Sequence, residues 1–291
     1  MSGNRHEVQN EIADTLGIGG IMRGLHTVPV LWSIAADMAD LCPNATLLQY
    51  VNPMAINTRS LAERFPKLKP VGLCHSVQNT AQELAHDLDI DQASVRYKVS
   101  GVNHVAFFLL LEQDMGGEDL IDQFNIPLDE YPMRCVEQVA DWKQQAAAMM
   151  ASGSVEVCKS QKFPSELMNA IVTDTPYVMY GNLPNHGQIP QLPTGAAVET
   201  PCLVDANDVQ PSVITDIPPQ LAALMPTQIN VQELTVRALV DENPELIYHA
   251  AMMDPHTAAE LDIRQIRSMV DDLLNAHGDW LPEWTRAELR N

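Results

Sequence analysis

Basic residues are scarce in this chain: 17 Lys and Arg stand against 38 Asp and Glu among 291 residues, a formal charge of −21. Affinity for nucleic acid rests on Lys and Arg neutralising phosphates, so this balance excludes nucleic acid as a partner. It excludes an anionic membrane surface on the same ground. Long apolar runs are lacking as well, the longest, Val105 to Leu111, being far too short to span a bilayer. The opening residues, MSGNRHEVQNEIAD, are polar and hold no signal-peptide core. Five cysteines, at 42, 74, 135, 158 and 202, are odd in number and scattered, which is no disulfide framework. These absences describe an acidic protein of a reducing compartment, expected in the cytoplasm. With 46% hydrophobic residues, a chain of this length buries a sizeable core without staples or metal.

What is present alternates between helical and strand patterns in the first third. Residues 29–41 place Val30, Ile34, Met38 and Leu41 on one helical face, with Pro29 near the helix start. Ala45 to Val51 is a short apolar run stopped by Asn52-Pro53 and reads as a buried strand. Residues 56–64 are helical, Val71 to Cys74 is a second strand, and a helix follows from Ser76, its expected cap, to Leu88. That rhythm is the mark of a parallel sheet. From Arg96 it changes: Val95–Val99 and Val105–Leu111 flank a polar bend, Ser100-Gly101-Val102-Asn103-His104. A helical stretch covers 130–151, irregular Pro- and Gly-rich chain with short strands covers 176–219, and the tail is helical over 231–241, 244–253 and 263–277. The fold class is α/β: a partial Rossmann-like parallel sheet unit over residues 1–95, then an α+β domain over 96–291. A dinucleotide domain opens with a strand and a G-x-G-x-x-G turn, and nothing before residue 29 fits. Gly17-Ile18-Gly19-Gly20 follows no strand and reads as a loop.

Asn52, Cys74 and Asn103-His104 each lie at or beside the end of an apolar run, and open α/β sheets bind ligands outside the carboxyl ends of their strands. A thiolate and an imidazole, from Cys74 and His104, suit Zn, Mn, Fe or Ni. The plainer reading is a buried free cysteine and a satisfied core histidine. His75 reads either as a general acid or as a solvated loop residue. Asp254-Pro255-His256 and His277-Gly278-Asp279-Trp280 have the look of metal or acid/base pairs, but each falls at a helix boundary where Asp, His and Gly serve as caps and stops. No G-x-S-x-G, C-x-x-C or H-E-x-x-H motif is present.

The same residues carry a family resemblance. Ile12 to Gly17, Gly19-Gly-Ile-Met-Arg23, Tyr50-Val-Asn-Pro-Met-Ala55, Val71-Gly-Leu-Cys-His-Ser76 and Gly101-Val-Asn-His104 resemble glycoside hydrolase family 4. Histidine after the cysteine resembles its α-galactosidase branch. Pro127 to Pro132, Val198-Glu199, Cys202 to Asp205, Ala250 to Thr257 and Ala276 to Pro282 agree, so the likeness covers nearly the whole chain. It implies a glycosidase outside the two-carboxylate rule, acting on α-galactosides with NAD+ and Mn2+ through oxidation at sugar carbon 3, elimination, water addition and re-reduction. It also implies a second domain resembling the carboxyl-terminal domain of lactate and malate dehydrogenases, and assembly as a homo-oligomer. By position, Cys74 and His104 resemble the metal ligands, Asn52 and Asn103 the contacts to substrate hydroxyls, and His75 the acid that protonates the leaving group.

Departures from the pattern accompany it. The family's glycine-rich dinucleotide turn has no counterpart here, nor does a block between Glu112 and Gly116 that includes the stretch carrying the tyrosine base. Ser160-Gln161-Lys162-Phe163 stands where the family has a Ser-Arg-Glu-Tyr-like motif, and His26 where it has arginine. The sequence therefore leaves two functions open, an NAD- and metal-dependent α-galactosidase and a non-catalytic relative that binds metal, sugar or a partner subunit. Without the first strands, a free sheet edge and an apolar helix face are expected.

Overall fold

A computed structural model describes residues 14–113 and 162–286, with Lys143, Ala147 and Met150 between them. Apart from those three, the helical stretch expected over 130–151 lies outside the described residues, as do Gly116 to Glu118, Pro127 to Pro132, Cys135, Cys158 and Ser160-Gln161.

The first helix, α1 (Gly17–Leu41), buries Ile18, Ile21, Met22, Leu25, Val28, Leu31 and Ala35, a stripe at spacings of three and four. This corrects two expectations. Gly17 to Gly20 form the first turn of the helix rather than a loop, and Pro29 lies inside it. Ile18 to Val28 of this stripe pack into a core with Ile56, Val236, Leu239, Ile247, Met269 and Leu274, and Leu31 and Ala35 pack against Leu61 and Leu68. Burying it outweighs the one backbone bond that proline withholds. Of the face that the sequence groups together, Val30 and Leu41 point outward, 61% and 84% exposed, while Met38 packs against Leu31, Ala35, Leu61 and Leu68.

Strand β1 (Thr46–Gln49), helix α2 (Met54–Arg64), strand β2 (Lys69–Leu73) and helix α3 (Ser76–Asp87) follow as the sequence predicts. The cap of α3 differs: His75 holds the N-cap position and makes no side-chain capping bond. β1 and β2 pair in parallel, Leu48 opposite Val71 and Gln49 opposite Gly72. Strands β3 (Val95–Val102) and β4 (Val105–Gln113) form an antiparallel hairpin in which Val102 faces Val105, so Asn103-His104 is a two-residue turn. Gly101 is required there, because at φ 155° an added Cβ would lie 2.6 Å from Ala106 Cα and from the Val105 carbonyl oxygen.

After helix α4 (Pro164–Thr173) come strands β5 (Tyr177–Pro184), β6 (Ala197–Asp205) and β7 (Asp208–Pro211). All seven strands belong to one sheet, ordered β1-β2-β5-β6-β3-β4 with β7 also on β6. Val71, Leu73, Met179, Cys202 and Val204 pack with Leu167 and Ala170 of α4 on one face. The alternate residues of β2 face α2, since a Cβ at Gly72 would meet Met54 Sδ and Thr58 Oγ1.

Helices α5 (Pro219–Val240), α6 (Glu245–Met253), α7 (Pro255–Glu260) and α8 (Ile263–His277) complete the fold. α5 starts twelve residues earlier than the expected 231 and runs through Pro226. Asp254 acts as a cap, its Oδ2 accepting from the Thr257 amide at 2.9 Å, and Gly278 ends α8 at φ 51°. Among the described residues no helix is long and apolar enough to cross a membrane.

Candidate functional site

Sheet register brings the site together. Gly72 of β2 lies opposite Asn182 of β5, Asn182 opposite Glu199 of β6, and Glu199 opposite Gly101 of β3. Cys74 follows Gly72 by two residues, and Asn103 and His104 follow Gly101 by two and three. Glu199 stands between them and interacts electrostatically with both Cys74 and His104. Sequence reasoning named Glu199 only within a resembling run and passed over Asn182. Strand patterning gave no signal for either, because each occupies one position of an otherwise ordinary strand.

Glu199 is buried, and its Oε1 accepts a hydrogen bond from Asn182 Nδ2 at 3.1 Å. Burial above all, and then the nearby Cys74 sulfur, push its carboxyl up to about 7, against the opposing pull of His104 and Asn182. Several polar atoms of these strands and the turn after β3 have no hydrogen-bond partner among the described residues: Glu199 Oε2, Asn182 Oδ1, and both Asn103 Oδ1 and Nδ2. A buried polar group left unpaired costs about 1–3 kcal/mol, so this concentration makes the place a candidate ligand site.

Asn52 sits in the turn between β1 and α2. Its Nδ2 donates to Asp14 Oδ2 at 2.9 Å, and its carbonyl accepts from Arg23 Nε at 3.1 Å. His75 lies directly after Cys74, in the bridge region of the backbone at φ −94° and ψ 0°. An apolar cavity of about 440 Å³ opens beside His104 and Glu199, lined also by Val77, Leu84, Phe108 and Leu221. Phe163 is buried against Tyr50, with ring centroids 6.2 Å apart, and brings no hydroxyl to the site.

The donor set at this place is one buried thiol and one imidazole. Among the described residues no three His, Cys, Asp or Glu converge to hold a metal by themselves. Two protein donors suit an open site whose remaining positions are filled by water or substrate oxygens.

Comparison with known proteins supplies the lineage. Residues 2–90 match the family model described as Family 4 glycosyl hydrolase, and residues 108–257 match its C-terminal domain. The chain is 36% identical to an alpha-galactosidase of Bacillus subtilis (strain 168) over 332 aligned residues, covering 96% of this chain and 77% of that one. That alignment is longer than the chain itself, so the relative carries residues with no counterpart here. Among solved structures, a 6-phospho-alpha-glucosidase from gut microorganisms in complex with NAD and Mn2+ superposes with a TM-score of 0.77 at 19% identity, over 93% of this chain and 75% of that one. A malate dehydrogenase from Aeropyrum pernix superposes with a TM-score of 0.54 at 16% identity, over 78% of this chain and 74% of that one. The expected fold class holds: a Rossmann-like unit joined to an α+β unit of the malate dehydrogenase type.

Proposed function

The chain belongs to family 4 of the glycosyl hydrolases, and on that premise we propose that it acts on α-galactosides as a divalent-metal-dependent glycosidase with NAD+ as second cofactor. The observation that carries this reading is the cluster of unpartnered buried polar atoms on Asn103, Asn182 and Glu199 beside Cys74 and His104. The likeness to an alpha-galactosidase supports the sugar, and the related structure with NAD and Mn2+ supports the cofactors. The same reading divides the chain near residue 95, places it in the cytoplasm and expects a homo-oligomer.

Cys74 and His104 fit a metal by their chemistry, by the burial of Cys74 and by the unpaired atoms around them. Cys74 and His104 would hold the metal, which would supply Lewis-acid polarisation of sugar oxygens. Asn52 and Asn103 orient the sugar through its hydroxyls, the first held by Asp14 and Arg23 and the second with donor and acceptor both available. His75 donates a proton to the leaving oxygen. Glu199, whose carboxyl burial holds above its ordinary value in the metal-free chain, presents Oε2 to the same space while Asn182 fixes Oε1.

The dinucleotide fits less well. The turns that follow β1 and β2 are Tyr50 to Pro53 and Cys74-His75, and neither contains glycine, so neither offers a glycine-rich phosphate cradle. The roles given to Cys74, His104, Asn52 and Asn103 do not depend on it. This observation favours a second reading, a metal- and sugar-binding relative without turnover.

Hydrolysis of an aryl α-galactoside with Mn2+ and a thiol reductant, with and without NAD+, tests the first reading. NAD+-dependent turnover that Cys74→Ser abolishes is the expected result. Mn2+-dependent galactose binding by folded protein without turnover gives the second reading. Neither binding nor turnover overturns both.

A further inference from the structure

Outside that site, two histidines 251 positions apart meet side chain to side chain. His26 Nε2, on α1, lies 2.9 Å from His277 Nδ1, at the carboxyl end of α8. Their rings are edge to face, with centroids 4.8 Å apart and planes inclined by 69°. We propose that His26 and His277 form a chelating site for one divalent ion of the nickel, copper or zinc class, bridging α1 to α8.

The spacing is the first argument. Two nitrogens each 2.0–2.1 Å from one metal, at an angle of about 90°, are set about 2.9 Å apart, and a tetrahedral angle opens them to about 3.3 Å. The pair stands at chelating distance, and rotation of the two rings would turn their facing lone pairs off the N···N line and onto one ion. The proton balance is the second. With both rings neutral, one hydrogen lies between the facing nitrogens. It moves to the far nitrogen of the same ring when the ion enters, so both rings stay neutral and no net proton is released.

The surroundings agree. Burial first, then His277 and Arg23, hold the His26 pKa below its ordinary value, which keeps the ligand form populated at neutral pH. Both histidines are half-buried and so reachable from solvent, with the exposed Trp280 ring 6.5 Å from His26 on one side. Of the charged groups nearby, Arg23 opposes a cation but has its Nε turned to the Asn52 carbonyl, and Asp279 is paired with Arg286 at 3.1 Å. Water fills the remaining positions. Imidazole pairs favour copper, nickel and zinc over manganese, so this site is chemically distinct from the one at Cys74 and His104. Because α1 also carries Arg23, an ion here fixes that helix against α8 one turn away from the support of Asn52.

The experiment is a titration of the full chain with Ni2+ after chelator treatment, by calorimetry and by thermal melting, in wild type, Cys74→Ser, His26→Gln and His277→Ala. Cys74→Ser is expected to keep a Ni2+ equivalent and a raised melting temperature that His277→Ala and His26→Gln both lose, with affinity falling at least about tenfold. Circular dichroism confirms that each variant is folded. His277 ends its helix and is half-exposed, so its truncation is the milder of the two. Unchanged Ni2+ affinity and melting shift in both folded histidine variants overturn the proposal and leave a pair that only shares a proton.

Discussion

Asn182 Nδ2 donates to Glu199 Oε1 at 3.1 Å, a bond between two fully buried side chains on adjacent strands that leaves the outer oxygen of each without a partner. It holds a carboxyl between Cys74 and His104 that burial pushes up and this bond draws down.

For metal-free protein, the direction of the pH dependence follows from that carboxyl. Glu199 is raised from 4.5 to about 7 in the folded state. Its proton is bound more tightly in the folded chain, so this contribution to stability is whole below pH 4.5 and is lost as pH rises towards 7. The loss is on the order of 3 kcal/mol at most. Urea unfolding in the presence of a chelator should show stability falling across that window in wild type and a flatter profile in Glu199→Gln. Equal slopes in the two proteins would remove the assignment.

Asn103 separates binding from stability. Its side chain is fully buried with both polar atoms unpartnered, so Asn103→Ala removes an uncompensated group. We expect a change in unfolding free energy within about 1 kcal/mol and a loss of galactose affinity of at least about tenfold. A large destabilisation with sugar binding intact would place Asn103 in the framework instead.

Gly72 tests the register. An added Cβ would lie 2.4 Å from Met54 Sδ and 2.9 Å from Asn182 Cβ. Gly72→Ala should therefore destabilise the fold by about 1–3 kcal/mol and weaken Mn2+ binding at the neighbouring Cys74. Stability and Mn2+ affinity both equal to wild type would show that Met54 and Asn182 move aside freely.

The outward face of α1 bears on assembly. Val30, Ile34 and Leu41 are 61%, 46% and 84% exposed, and β1 pairs only with β2 among the described residues. Val30→Glu combined with Ile34→Lys should leave stability within about 0.5 kcal/mol while shifting sedimentation towards smaller species. An unchanged size distribution would show that this face takes no part in association.

In the first third the sequence alone determined β1, α2, β2 and α3, but not the first three turns of α1. Apolar runs ended by Asn52-Pro53 and by Cys74-His75 mark β1 and β2, because strand and helix periods are written in neighbouring residues. It also singled out Cys74, His104, Asn52, Asn103 and His75, through residue chemistry at the ends of those runs and through family likeness. Only the tertiary structure decided which of two apolar stripes on α1 is buried, since that depends on what α2 and the carboxyl-terminal helices press against it. It alone set Asn182 and Glu199 between Cys74 and His104, and His26 against His277. Those neighbours are made by sheet register and helix packing over long sequence separations, and no local pattern records them.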